Sequence, residues 1–294
     1  MSKKILILGG NGFIGLHLQK RLANEDVVVT VGGDVTNYED VASKIKDQDI
    51  IINLATVVQT IGNFDAYKDL NVNCLGQINI LEARKNINPN SKYIYFGSSL
   101  QFGRIDPKDL PIPEDYPQRP LSLYGSHKVT AENYCLVYKK AYNLDSIILR
   151  MPPIYGPSLD GKETRSLVEK FIKIALGNGN FTANNFGEDI KDFVYVDDVI
   201  EAIIKVIESP VQNAIYNLGS GCGLKLVEIS QMILDECQGG TMELVPYPPD
   251  RVAFESGSFC FDISKIKKEL GWAPKVDIKE GIKRMVEFYK NKKD

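Results

Sequence analysis

Residues 9 to 15 read Gly-Gly-Asn-Gly-Phe-Ile-Gly, directly after the apolar run Ile5-Leu6-Ile7-Leu8 and directly before a stretch with helical character. A strand that feeds a glycine-rich turn into a helix start is how a protein holds a pyrophosphate. The glycines permit a tight turn and close backbone approach, and free N–H groups at the helix start face the anion. An ordinary strand-to-helix turn can show the same spacing, so support must come from elsewhere in the chain. It lies downstream in Tyr124-Gly-Ser-His-Lys128, with Ser98 and Ser99 closing another apolar strand.

Strand-like runs at Ile5–Leu8, Val27–Val31, Ile50–Leu54, Tyr93–Phe96 and Ser146–Leu149 alternate with helical segments near 12–22, 38–46, 66–85 and 124–142. Such alternation predicts an α/β fold, a doubly wound parallel sheet of Rossmann type with helices on both faces. After Val31 the chain runs Gly32-Gly-Asp-Val-Thr-Asn, and a clipped or irregular region is expected there. Beyond Arg150 the texture changes. Met151-Pro-Pro-Ile-Tyr-Gly-Pro157 reads as irregular, because proline lacks the donor N–H and restricts its predecessor. A helix near 165–176, a loop over 177–187, a short strand Val194–Val196 with Asp197 as helix N-cap, and helices near 226–237, 263–270 and 278–290 follow. The predicted organisation is a cofactor-binding domain over 1–164, to which 190–208 returns, and a smaller α+β domain over 165–294.

Charge and cysteine usage exclude several classes of function. Net charge is −3 with basic residues scattered, so no nucleic-acid footprint is expected. Five cysteines (74, 135, 222, 237, 260) form no C-x-x-C pair and there are only two histidines, which argues against a metal site. Dispersed, odd-numbered cysteines fit reduced thiols in the cytosol. The apolar run after Met1-Ser-Lys-Lys is too short for a signal peptide, and no stretch has membrane-spanning length. A cytoplasmic protein without a membrane partner is expected.

Tyr124 and Lys128 stand at i and i+4, on one face of a helix. An ammonium there lowers the phenol's pKa, so the tyrosine can act as a general acid or base near neutral pH, and the lysine can also hold a ribose hydroxyl. Ser98 and Ser99 sit at the carboxyl end of their strand, where open parallel sheets bind ligands. A serine hydroxyl there can donate to a substrate oxygen that gains charge; the alternative is that both serines only cap the turn.

These motifs together resemble the extended short-chain dehydrogenase/reductases, in particular the NAD-dependent sugar-nucleotide epimerase/dehydratase family. The similarity runs on through Ile52-Asn-Leu-Ala55, Asn73-Cys-Leu-Gly-Gln-Ile-Asn-Ile-Leu-Glu-Ala83, Leu149-Arg-Met-Pro-Pro-Ile-Tyr-Gly-Pro157, Lys191-Asp-Phe-Val-Tyr-Val-Asp-Asp-Val199, Tyr216-Asn-Leu-Gly-Ser-Gly221 and Leu270-Gly-Trp-Ala-Pro274. The resemblance implies a Rossmann domain holding the nicotinamide cofactor, a smaller domain holding a nucleoside-diphosphate sugar, and a homodimer. It maps the catalytic set onto Ser98, Tyr124 and Lys128. Cofactor contacts map onto Gly9, Gly12, Phe13, Ile14, Gly15, Leu54, Ala55 and Asn73, besides Tyr124 and Lys128. Substrate contacts fall on Ser99 and on Arg251, whose planar fork suits a diphosphate.

Departures from the family pattern narrow the chemistry. Dehydratases of the family carry Asp-Glu after the catalytic Thr, where this chain has Ser99 and Leu100; relatives that epimerise at C3 and C5 place a Cys near Leu100. What remains is hydride transfer at one carbon, either 4-epimerisation or reduction of a 4-keto sugar. A non-catalytic cofactor sensor on the same fold is a third reading, which the retained Tyr124/Lys128 pair disfavours. His127 occupies a position that is usually Ser in the family, points away from the shared face and reads as structural. Lys191, Trp272 and the apolar stripe of 278–290 read likewise. Asp34 either holds the ribose of NAD or is an adenine-contacting acid. No Arg or Lys lies between Val27 and Val41, so NAD is favoured while NADP stays open.

Overall fold

The computed structural model describes residues 2–57, 65–162, 166–250 and 252–292. In chain order the first elements are β1 (Lys3–Leu8), α1 (Phe13–Leu22), β2 (Val27–Val31), α2 (Tyr38–Ile45) and β3 (Ile50–Asn53). Next come α3 (Ala66–Leu70), a π-helical turn (Asn71–Leu75), α4 (Gly76–Ile87), β4 (Lys92–Ser98), α5 (Leu123–Tyr142) and β5 (Ile147–Met151). Then follow β6 (Ile154–Tyr155), α6 (Leu167–Leu176), β7 (Asn180–Ala183), β8 (Ile190–Lys191), β9 (Val194–Tyr195), α7 (Val196–Glu208) and β10 (Ala214–Asn217). The chain closes with β11 (Leu224–Lys225), α8 (Leu226–Cys237), β12 (Thr241–Leu244), α9 (Ser264–Leu270) and α10 (Ile278–Asn291).

Two compact units emerge: residues 1–103, 117–150 and 204–216 in the first, and 104–116, 151–203 and 217–294 in the second. The first holds a six-stranded sheet in the order β10-β5-β4-β3-β1-β2, with β2/β1, β1/β3 and β3/β4 parallel. Its central strands are continuous apolar runs because helices cover both faces; Ile5 to Leu8 and Ile51 to Ile52 are fully buried. One core cluster joins Leu6, Leu8, Ile51, Tyr93 and Tyr95 of the sheet to Val41, Ile80, Ala131 and Cys135 of α2, α4 and α5. β2 is the sheet edge, and Gly32 and Gly33 follow it with φ of 106° and 120°, so the irregular stretch lies where the sequence places it.

The second unit is built from two-stranded pairs, β6/β9 and β7/β12 parallel and β8/β11 antiparallel, with helices packed over them. Phe171 of α6 stacks on Phe181 of β7 at 4.1 Å, and Trp272 is buried with its Nε1–H donated to the Asp198 carbonyl.

Several sequence expectations need correction. The segment read as one helix over 66–85 is broken by the π-helical turn at 71–75. Within 151–157, Ile154 and Tyr155 pair with Val194 and Tyr195, because the prolines flank this dipeptide and leave both of its N–H groups. Residues 180–183, read as loop, form β7 and pair with Thr241–Leu244. Asp197 is inside the first turn of α7 rather than its N-cap, since the helix starts at Val196; its carboxylate still faces the positive end of the helix dipole. Four cysteines are buried and Cys222 is exposed, all as free thiols. Among the described residues no helix is long and apolar enough to cross a membrane.

Candidate active site

The glycines of the first turn differ in what holds them. At Gly9, with φ of 75°, a Cβ would lie 2.5 Å from the Ala55 nitrogen, so the ends of β1 and β3 touch backbone to backbone. At Gly15 it would lie 2.3 Å from the Gly10 carbonyl oxygen, which seats α1 against its own turn. Gln19 Nε2 fixes this seat by donating to Gly10 O (2.8 Å) and Gly15 O (3.2 Å). Gly12 is different. A Cβ there would meet only Gly9 O, at 3.3 Å, and Gly12 is the exposed N-cap of α1, a helix with no side-chain cap and no acid in its first turn. Packing within the protein accounts for Gly9 and Gly15 but leaves Gly12 unexplained. An open, uncapped helix start beside Phe13 and Ile14 is what a diphosphate requires, so these residues fit a dinucleotide.

The remaining cofactor candidates also lie in the first unit. Asp34 is exposed three residues beyond β2, its Oδ1 accepting from Thr36 N (2.9 Å) and Thr36 Oγ1 (2.7 Å), bonds that lower its pKa. Leu54 and Ala55 leave the end of β3 half-buried. Asn73 is buried in the π turn; it donates to Asp69 Oδ1 and Val57 O and accepts from Thr56 Oγ1, which ties down the loop after β3.

Ser98 ends β4 and caps the short 3₁₀ turn Ser99–Gln101, its Oγ accepting from Leu100 N at 3.2 Å. That bond uses the oxygen as acceptor, so the hydroxyl hydrogen is left to donate. Capping and donation are compatible here. Ser98 N–H is held in turn by Gln101 Oε1 (2.6 Å), and Gln101 Nε2 donates to Glu132 Oε2 (2.9 Å). Ser99 is half-buried one residue further on.

α5 begins at the Ser122 cap, whose Oγ accepts from Gly125 N (3.1 Å). Tyr124 and Lys128 are both buried on this helix, at 8% and 4% exposure. The Lys128 ammonium lies 5.8 Å from the Tyr124 ring centre and 5.1 Å from that of Tyr95, and donates to the Phe96 carbonyl at 2.9 Å. Phe96 O is its one hydrogen-bond acceptor among the described residues, and an ammonium has three donors. Two are left for a ligand such as a ribose diol. Burial pulls Lys128 down to about 8, against the opposing pull of Asp69 and Cys74.

Three supporting residues escaped the sequence reading. Glu132 continues the 124/128 spacing by one more helical step, and its buried carboxylate accepts from Gln101, Gln118, and Arg150 Nε and Nη2. Gln101 links that carboxylate to Ser98. Asp69, fully buried, accepts from Asn73 (2.7 Å) and from His127 Nδ1 (2.8 Å), so His127 is tied to a buried acid. A third 124-128-132 position and an Asp at i−4 from Asn73 are the only sequence traces of this support.

In the second unit, Arg251 lies outside the described residues. The chain on either side of it is anchored: Arg104 donates to the Val252 and Glu255 carbonyls, Lys191 Nζ donates to Gly257 O (2.8 Å), and Tyr247 donates to Asp189. Lys191 thus has the structural role expected of it.

Residues 5–219 match the NAD dependent epimerase/dehydratase family. The UDP-glucose 4-epimerase of Lactobacillus helveticus is 30% identical over 92% of both chains, and that of Mycolicibacterium smegmatis 26% identical over 98% of this chain and 99% of its own. Among solved structures, UDP-glucose 4-epimerase of Thermotoga maritima with UDP-glucose superposes with a TM-score of 0.89 at 25% identity, covering 99% of this chain and all of the other. The chain is an NAD-dependent sugar-nucleotide enzyme, a member of the NAD-dependent epimerase/dehydratase family.

Proposed function

We propose that the protein is an NAD-dependent nucleotide-sugar 4-epimerase using Ser98, Tyr124 and Lys128. The observation that carries this reading is the turn after Ser98. Its next two residues are Ser99 and Leu100, a hydroxyl and an alkyl group, while the Tyr124/Lys128 pair on α5 is complete. Neither residue can carry a proton to or from carbon at neutral pH, so elimination lacks its acid and base, whereas oxidation and reduction at a single hydroxyl needs only Tyr124. Relatives named UDP-glucose 4-epimerase lend it further support.

The cofactor would be held by Gly9, Gly12, Phe13, Ile14 and Gly15 at the diphosphate, by Asp34 at the adenosine end, and by Leu54, Ala55, Asn73, Tyr124 and Lys128 toward the nicotinamide. Bound there, NAD would supply the hydride acceptor and donor for oxidation and re-reduction at C4. Tyr124 takes the proton of the C4 hydroxyl and later gives it back to the same oxygen. Ser98 donates to that oxygen as charge builds on it, and Lys128 favours the ionised phenol by its adjacent charge. The burial of Tyr124 and Lys128 keeps water from screening that charge. The substrate in this reading is a nucleoside-diphosphate sugar, with Ser99 and Arg251 as contacts.

Incubating the purified protein with UDP-, GDP-, TDP- and CDP-sugars, without added cofactor, tests the reading. Interconversion of 4-epimers using only retained NAD is the expected result. Turnover that demands stoichiometric NAD(P)H and a 4-keto substrate replaces it with a reductase. No turnover on any of them, with NAD still bound, leaves the cofactor sensor.

A further inference from the structure

The segment 246–258 of the second unit has little of what usually holds a loop in place. Pro246, Pro248 and Pro249 have no N–H to donate. Val252, Ala253 and Phe254 are exposed, so no apolar burial offsets the entropy of ordering them. Within the loop, Val252 N donates to Pro248 O at 3.2 Å.

Hydrogen bonds from neighbouring elements supply the rest, and they fall into two groups. The ends of the loop are pinned to β8 and the residue before it. Tyr247 donates to Asp189, Lys191 Nζ to Gly257 O (2.8 Å), Ile190 N to Ser258 Oγ (3.1 Å) and Phe259 N to Ile190 O (2.8 Å). The stretch between, 248–256, is held by one side chain. Arg104 Nε donates to Glu255 O at 3.1 Å and its Nη2 to Val252 O. Among the described residues these are the only hydrogen bonds that reach 248–256 from outside the loop. Arg104 is itself exposed and, like the loop it holds, belongs to the second unit. Its planar fork suits two carbonyls at once, which the point charge of a lysine matches less well.

We propose that Arg104 is a positioning residue for the nucleotide-sugar substrate: by bridging the carbonyls of Val252 and Glu255 it fixes the chain directly after Arg251, so that Arg251 is presented to the diphosphate. This rests on the reading in which Arg251 contacts that diphosphate. A loop ordered before its ligand arrives loses less freedom on binding, so the benefit falls on affinity and not on the chemical step.

The NAD-loaded enzyme is assayed with the nucleotide sugar that it turns over. Arg104→Ala should raise KM about ten-fold, as loss of a charge-assisted hydrogen bond does, and leave kcat unchanged. Arg104→Lys, which keeps a charged donor but not the fork, should recover part of that loss. In the Arg251→Ala background the Arg104→Ala substitution should leave KM where it is, because Arg104 acts through Arg251. Trypsin should also cut the Arg251–Val252 bond faster in Arg104→Ala than in wild type. A merely structural Arg104 would lower the melting temperature and leave KM alone. An unchanged KM, an unchanged rate of cutting, or an undiminished KM effect in the Arg251→Ala background overturns the proposal. Arg251→Ala separates the two levels: if it raises KM while Arg104→Ala does not, only Arg104 loses its role, whereas an unchanged KM in Arg251→Ala removes the reading beneath it.

Discussion

Glu132→Gln should be among the most destabilising single-atom-scale changes available in this chain. The carboxylate is 2% exposed and accepts four hydrogen bonds, from Gln101 Nε2 (2.9 Å), Gln118 Nε2 (2.9 Å), Arg150 Nε (3.1 Å) and Arg150 Nη2 (2.5 Å). A glutamine offers one acceptor oxygen with two lone pairs and points two new donors at groups that are themselves donors. At least two of the four bonds are lost, and the buried Arg150 guanidinium loses the charge it pairs with. Removing one partner of a buried ion pair costs about 3–5 kcal/mol, and that is the loss expected. Urea denaturation at pH 7 measures it, with Arg150→Met and the double variant completing a cycle. The double variant should recover about 2 kcal/mol or more of the summed losses, because removing both charges leaves neither uncompensated. The catalytic consequence follows through Gln101, which holds Ser98 N–H on one side and Glu132 on the other. Ser98→Ala should therefore cost less kcat in the Glu132→Gln background than in the wild type. A loss below about 1 kcal/mol for Glu132→Gln, or a strictly additive cycle, would refute the assignment of this network.

Gly12→Val should fold with an unchanged melting temperature and lose its retained NAD. Gly15→Ala, whose Cβ would lie 2.3 Å from Gly10 O, should instead lose stability by about 1–3 kcal/mol or more; equal NAD content in Gly12→Val and wild type contradicts the phosphate-loop role. Tyr124→Phe should keep its NAD while kcat falls by about 10²–10⁴-fold, the usual contribution of a positioned acid or base, and full activity would remove Tyr124 from the mechanism. Lys128 should show a stability cost as well as a role. Its pKa falls from 10.5 to about 8 on folding, so the penalty for charging it is fully present below about 8 and lifts as pH rises toward 10.5. Lys128→Met should accordingly melt higher than wild type at pH 7, with a gain that shrinks above pH 8, and a lower midpoint at pH 7 would show that the ammonium stabilises the fold.

How much of this was legible in the sequence depends on the range of the interaction. The central strands were visible because burial on both faces makes them continuous apolar runs, and the Tyr124/Lys128 pair because i and i+4 share a face wherever a helix forms. Long-range support was not. Asp69 meets His127 across 58 positions, and Arg150 meets Glu132 across 18, with nothing local to announce either pairing. The break of the 66–87 helix at Asn71–Leu75 was likewise hidden, since its residues are ordinary helical ones and Gly76 directly after it fits a helix interior as well as a break. Gly12 and Gly15 are interchangeable as letters; only the atoms that a Cβ would meet separate the one that faces outward from the one that packs. The same test of what remains unsatisfied sorts the buried cations. Arg84 spends its donors on the Ser91 hydroxyl and on the Ser91 and Asp145 carbonyls, and Lys92 donates to two carbonyls, Val206 and Ser209. Both join elements of the fold. Lys128, equally dry, has one acceptor in Phe96 O. A buried ammonium with two donors left over is what a bound ribose diol would explain.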